Sequence, residues 1–469
     1  MNNWLKRKNA DAGAGRDRLV PTLSWWHLVA LGVGGVVGTG IYTLVGVGAS
    51  LAGPAVILSF LVAGIVCTCA ALAYAEVAAM IPASGSAYTY SYVAMGEVFA
   101  WVVGWSLILE YSLVVSAVAV GWSGYASGFL AGIGLPLPSL VTAGPYAGGL
   151  LNLPAILIIA IVAGLLSAGT RESATLNAGL VVIKLAALLV FMGVAAPHFH
   201  MSSFHPFMPY GFSGHGPAGA PQGVMAAAAI IFFAFYGFDA ISTASEEAKN
   251  PGRDLPIGIV GSLAICTLIY VGVAAFAVGS MPFTEYAHSA EPLALILRKL
   301  GAAGAAVGIG AAAVVALPTV ILAFLYGQSR IFFVMARDGL LPRNLATINH
   351  RTGTPIRITW VTAVIVGILA GLIPLDQIAA LANAGTLVAF MAVTLCMLIL
   401  RRREAGWNRP FRVRAAWIIG PVAILGCLYL FLSLPLRTQL FFGAWNVMGL
   451  AIYVLKARRQ VSQLEAPTR

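Results

Sequence analysis

Four of the charged side chains within otherwise apolar stretches stand out: Glu76, Glu110, Lys184 and Asp239. A charge at the depth of a lipid core is expensive, so each is a candidate for ion, proton or substrate chemistry. Lys184 sits centrally in Leu180-Val181-Val182-Ile183-Lys184-Leu185-Ala186-Ala187. Burial disfavours its ammonium form, which suits a group that exchanges protons with solvent. The alternative is a lysine snorkelling to the membrane surface, which its central position disfavours. Glu110, after Trp105-Ser106-Leu107-Ile108-Leu109, either meets an amine of a substrate or pairs with another buried polar group. Asp239 follows an interrupted apolar run, where it caps or orients the half-helix beyond it. Glu76 lies near the cytoplasmic end of its stretch and reads as solvated or ion-paired.

The elements that must position these groups are themselves unusual. Gly32-Val33-Gly34-Gly35-Val36-Val37-Gly38-Thr39-Gly40-Ile41 interrupts the first apolar stretch, and Phe232-Phe233-Ala234-Phe235-Tyr236-Gly237-Phe238-Asp239 interrupts a later one. A glycine costs about 1 kcal/mol relative to alanine inside a helix, so such a run predicts a break. Close helix packing is the competing explanation, since small residues let membrane helices approach. Non-helical backbone survives in lipid only where protein or a water-filled cavity satisfies it. Paired interruptions at corresponding places in two halves point to the binding site of a secondary transporter.

Composition sets the class: 60% hydrophobic, 9% charged and a mean hydropathy of +0.91 exclude an ordinary soluble domain. Twelve apolar runs long enough to span a bilayer fall at about 26–48, 54–80, 97–130, 151–169, 174–195, 223–247, 256–279, 302–335, 357–374, 378–400, 413–434 and 438–456. The net charge of +11 is not a nucleic-acid footprint, because its cations are segregated by connection. Lys6, Arg7, Lys8, Arg16 and Arg18 precede the first run. Arg171, Lys249, Arg253, Arg337, Arg343, Arg351, Arg401, Arg402, Arg403, Arg409, Arg412 and Arg414 fall in the even-to-odd connections, and Lys456, Arg458 and Arg459 follow the last. The odd-to-even connections hold only Arg298, Lys299 and Arg437. The positive-inside rule then places both termini in the cytoplasm. The first run is too long for a signal peptide and lacks a small-residue cleavage site.

Residues 1–25 read as a cytoplasmic tail, 26–195 as a first repeat of five helices and 196–222 as an extracytoplasmic loop. Residues 223–400 read as a second repeat, 401–412 as a cytoplasmic loop, 413–456 as two added helices and 457–469 as a cytoplasmic tail. His198, His200, His205 and His215 lie in the loop, without the carboxylates or cysteines that would favour a metal. Cys67, Cys69, Cys266, Cys396 and Cys427 read as small buried hydrophobes, not a metal site or a disulfide. An aromatic belt at the membrane surface accounts for Tyr88, Tyr90, Tyr92, Trp101 and Trp105. Glu-Glu-Ala-Lys-Asn-Pro-Gly-Arg-Asp-Leu-Pro (246–256) reads as a cytoplasmic helix end with a proline stop, with a gate pairing of Glu246 and Glu247 to Arg330 or Arg337 as the alternative.

Four segments together resemble the amino acid–polyamine–organocation superfamily, within it the bacterial permeases similar to cationic amino acid transporters. They are GVGGVVGTGIYTLVG (32–46), ALAYAEVAAMIPASGSAYTYSYVAMGEVFAWVVGWSLILEYSL (71–113), FFAFYGFDAISTASEEAKNPGRDLPIGI (232–259) and GQSRIFFVMARDGLLP (327–342). The resemblance implies an all-α membrane protein with a LeuT-like 5+5 inverted repeat, two extra helices and breaks in helices 1 and 6. It implies a proton-coupled L-amino acid permease of the cytoplasmic membrane that needs no cofactor, no metal and no nucleic acid, that meets lipids, and for which a monomer suffices. By the same resemblance the backbone of Gly38, Thr39 and Gly40 would take the substrate carboxylate, with Ile41 also in the substrate site, and a half-helix N-terminus suits an anion. Carbonyls at Val36, Phe233, Ala234 and Tyr236 would take the ammonium. Phe235, Glu110 and Leu317 would read the side chain, and Lys184 would stand where sodium-coupled relatives bind an ion.

A membrane enzyme would need His, Cys or carboxylates clustered at one depth, and a channel would need ring-forming polar residues; neither pattern is visible. A transporter-like sensor stays open. Neutral amino acids are favoured as substrates by the apolar Phe235 and Leu317, with Arg or Lys as the alternative through Glu110.

Overall fold

The computed structural model describes residue 7 and residues 23–82, 85–168, 174–216, 219–243, 245, 248–341 and 356–465. Glu246, Glu247 and the side chains of Arg330 and Arg337 lie outside these, so the gate pairing does too, as do Lys6, Lys8, Arg16, Arg18, Arg171, Arg343 and Arg351.

The chain is nearly all helix. The first half runs α1 (Trp25–Val36), α2 (Thr39–Tyr42), α3 (Leu44–Ala52), α4 (Val56–Met80), α5 (Ser86–Ala94), α6 (Glu97–Gly132), α7 (Ser139–Thr142), α8 (Leu153–Ser167) and α9 (Ala174–Ala195). After a connection with one short antiparallel pair, β1 (Gly214–His215) on β2 (Pro221–Gln222), come α10 (Val224–Ile231), α11 (Ala240–Thr243), α12 (Pro251–Ser280), α13 (Pro292–Lys299), α14 (Ala303–Ala316) and α15 (Pro318–Arg337). The last four are α16 (Ile356–Leu372), α17 (Leu375–Arg403), α18 (Ala416–Leu432) and α19 (Leu436–Glu465). Among the described residues, 7 helical segments are long and apolar enough to cross a membrane, and 5 shorter apolar helices accompany them. The twelve segments fall on the twelve apolar runs.

Both interruptions are real breaks. After α1, Val37 (φ −75°, ψ 91°) and Gly38 (φ −137°, ψ −153°) leave helical geometry before α2 resumes. After α10, a 3-10 turn over Phe232–Phe235 gives way to extended Tyr236 and to Gly237 at φ +106°, a left-handed position that suits only glycine. The breaks also cross each other. A Cβ on Gly35 would meet Gly237 Cα at 3.3 Å, and one on Gly40 would overlap the Ala234 backbone. The glycines therefore both break the helix and admit close packing.

The helices sort into two packed groups. In one, α12 lies along α1 and α4, and α10 packs on α3 and α4. In the other, α15 and α16 pack on α6, and α8 packs on α6 and α16. α9 bridges them through α1, α12 and α14, while α17 runs beside α6, α4 and α18.

The two readings of Glu76 are decided here, and the expectation for the aromatic side chains changes. Glu76 is fully buried and ion-paired: Arg401 grips both carboxylate oxygens, one at 2.8 Å, and the Val413 N–H donates at 2.8 Å. Trp101 and Trp105 form no belt. They donate to Gly449 O (2.8 Å) and Trp445 O (2.9 Å) on α19, while Tyr88 and Tyr90 are fully buried. The packing partner lies over 300 residues away in sequence, which local periodicity does not register.

Candidate functional site

The crossing of the two breaks is the place where backbone polar groups are released into the core. α2 begins at Thr39, and the first turn of an α-helix leaves its N–H groups without intrahelical acceptors. Those of Thr39, Gly40 and Ile41 head this half-helix, at its positive dipole end. Opposite, the 3-10 turn and extended Tyr236 turn carbonyls out of the regular ladder. Between them lies a narrow cavity of about 10 Å³, room for a single water, lined from the breaks by Gly35, Val36, Gly38, Thr39, Gly40, Phe233 and Tyr236. The second helical group closes it with Val114 and Val118 of α6 and Val320 and Phe324 of α15. Thus the cavity lies at the interface of the two groups.

Each candidate residue has a definite place. Val36 presents a carbonyl, which already accepts from Tyr270 Oη of α12 at 2.8 Å and keeps a second lone pair. Thr39 Oγ1 is 3.5 Å from Val118 O, and Gly121 of α6 makes room for its methyl group. Gly38 faces Val320, 3.5 Å from a Cβ built on it, whereas Gly40 faces the Ala234 backbone. The missing side chain of Gly40 accommodates the other break, not open cavity. Ile41 is buried outside the lining. Phe235 also stands outside it, packing edge-on against Phe60 (6.5 Å) and Tyr270 (5.5 Å). Leu317 is the buried joint between α14 and α15, where Pro318 restarts the helix.

Glu110 does not line the cavity either. It is buried with its back to Gly385 of α17 and Thr386 beside it, and its Oε2 finds no hydrogen-bond partner among the described residues. Asp239 serves the break itself. Its Oδ1 accepts from the Gly237 N–H (3.2 Å) and its Oδ2 from Tyr111 Oη (3.3 Å), so it holds the turn that precedes it.

Lys184 is fully buried on α9, so it does not snorkel. Its Nζ donates to Gly34 O of α1 (2.9 Å) and to Thr319 Oγ1 of α15 (3.0 Å). Tyr42 Oη, at the end of α2, donates to the Lys184 carbonyl (3.0 Å), and Tyr125 Oη of α6 donates to Tyr42 O (2.6 Å). One ammonium thereby ties the broken helix to both α9 and α15. Among the described residues no group of His, Cys, Asp and Glu is arranged to hold a metal ion.

Sequence reasoning missed Val114, Val118, Val320 and Phe324, and also Tyr42, Thr319 and Tyr270. Each lining pair is spaced i, i+4 and shares one helix face. In helices apolar all round, no contrast marks that face.

The chain matches the amino acid permease family over residues 23–455. It is 43% identical over 452 residues to a branched-chain amino acid permease of Bacillus subtilis, covering 96% of this chain and 95% of that one. It is 40% identical over 465 residues to a methylthioribose transporter of the same organism, covering 98% and 99%. A vacuolar cationic amino acid transporter of Arabidopsis thaliana is 36% identical over 412 residues, covering 86% of this chain and 67% of the relative.

Proposed function

This chain belongs to the amino acid permease family and is a multi-pass membrane protein, and from that premise we propose that it carries small neutral, aliphatic L-amino acids across the cytoplasmic membrane together with a proton. The observation that carries the choice of substrate is the cavity wall. Val114, Val118, Val320 and Phe324 form an apolar wall, and no carboxylate is among the lining residues. A basic side chain entering it would lose its hydration without gaining a counter-charge, a large cost. That argues against the cationic substrates of the Arabidopsis relative.

In this reading the substrate carboxylate meets the N–H groups of Thr39 and Gly40, where charge-assisted hydrogen bonds and the helix dipole act together. The substrate ammonium meets the second lone pair of the Val36 carbonyl and the carbonyls released around Phe233. These are backbone groups, so they read what all α-amino acids share. The two helical groups rock about the cavity to expose it to either side, in the manner of a five-plus-five inverted repeat. Lys184 is the coupling group. Its ammonium, bonded to Gly34 and Thr319, holds α1 to α9 and α15; its deprotonation weakens that tie and changes their packing. In this reading both termini lie in the cytoplasm, the side to which the segregated cations of the connections belong.

Uptake into proteoliposomes tests the reading. Labelled leucine, isoleucine and valine should accumulate under an inward proton gradient; arginine and lysine should not compete. Methylthioribose, a neutral sugar thioether without a carboxylate, should fail to compete as well. Competition by arginine or methylthioribose at the level of leucine would overturn the proposed substrate class.

A further inference from the structure

The break after α10 is gripped from outside the cavity by one side chain. Asn383 of α17 is fully buried, and its Nδ2 donates to Ala229 O (2.6 Å) and Ile230 O (3.0 Å) at the end of α10. Its Oδ1 accepts from Tyr236 Oη. The partners fix the amide's orientation, since backbone carbonyls only accept and a tyrosine hydroxyl donates. The need for the amide follows from backbone geometry. Where the α turns of α10 give way to the 3-10 turn of Phe232–Phe235, two carbonyls of the last α turn take a side-chain donor, the Asn383 amide. A carbonyl short of donors is costly in a dry core, and the Asn383 amide supplies a donor to both.

We propose that Asn383 is a positioning residue that sets substrate size selectivity by fixing the shape of this break. The inference rests on the cavity being the amino acid site. Phe233 and Tyr236, whose ring centroids stand 4.9 Å apart, both line the cavity. The Tyr236 ring is held at its hydroxyl end by Asn383, and its backbone follows the turn that Asn383 supports. One amide therefore fixes both ends of the wall segment. α17 itself packs along α6 and α18, so the register of the break is taken from a helix that contributes nothing to the lining.

The test compares Asn383→Leu, Tyr236→Phe and the double variant in proteoliposomes, after gel filtration has shown each to be folded. The readout is the KM ratio of leucine to phenylalanine. Each single variant should shift that ratio towards the larger substrate by about fivefold, the factor one lost hydrogen bond carries. The double variant should shift it no further than the stronger single one. An unchanged ratio with only a lower kcat overturns the proposal, and so do additive shifts. Hydrogen exchange across residues 224–236 is measured in parallel and must rise in both single variants; unchanged exchange is equally fatal. Should the wild type take up no amino acid, the reading of function falls, while the exchange experiment still decides whether the clamp exists.

Discussion

Within the first break, four glycines do three different things. Gly34 lends its carbonyl to Lys184, Gly35 and Gly40 admit the second break, and Gly38 lines the cavity with its missing side chain towards Val320. A methyl group on Gly38 would stand 3.5 Å from Val320, ordinary contact, in a backbone conformation open to any residue. Gly38→Ala should therefore fold normally and raise the KM for leucine more than that for alanine, read by uptake of the two labelled substrates. Gly40→Ala should instead fail to give a monodisperse protein on gel filtration, because the new atom overlaps backbone that has nowhere to move. The reverse pattern would mean that the two breaks are not packed as described. Lys184 invites an equally direct experiment. Lys184→Ala should abolish proton-driven accumulation while a thermal shift with leucine still reports binding, since its Nζ reaches Gly34 and Thr319 and it is not among the lining residues. Accumulation like that of wild type would make the lysine a structural tie only.

At the scale of elements, polar anchors decide which helix docks where. α19 lies on α6 through stacked Trp105 and Trp445 (4.7 Å, 18°), each donating its indole N–H to the other's carbonyl. Gly449 makes room for the Trp105 ring. α4 is fastened to the last turn of α17 and to the segment after it by Glu76, Arg401 and the Val413 N–H. Breaking a buried ion pair leaves an uncompensated charge, so Arg401→Met should lower the melting temperature sharply, by a destabilisation of about 3–5 kcal/mol. Removing both charges in Glu76→Gln/Arg401→Met should recover a large part of that loss. A double variant no more stable than the single one would show that the pair is not the anchor. Such anchors explain why the clustered tyrosines and tryptophans around the start of α6 do not make a surface belt: their hydrogen-bond partners are on distant helices, and the packing that buries them is tertiary.

For the molecule as a whole, the cavity lies between two helical groups, and Lys184 lies where α1, α9 and α15 meet. Motion of one group against the other must strain that junction, which is why the proposed coupling is placed there. Uptake should collapse with a protonophore and be indifferent to replacement of Na⁺ by K⁺; a strict sodium requirement would sink proton coupling. Amino acid methyl esters, which lack the anionic carboxylate, should not compete for uptake. Full competition by leucine methyl ester would show that the start of α2 is not the carboxylate site.

The sequence by itself determined the broad plan of this protein. Hydropathy fixes the number and place of the apolar segments, because lipid penalises every long polar stretch, and dense glycine marks where a helix must break. It also singled out Lys184, because a charge in lipid is too costly to be casual. Only the tertiary structure decided which faces meet. Val114, Val118, Val320 and Phe324 became a cavity wall, and Phe235 turned from it, because helices apolar on every side carry no mark of their inward face. The same holds for Asn383 and Tyr236, 147 residues apart, whose shared hydrogen bond exists only once α17 has packed beside the broken helix.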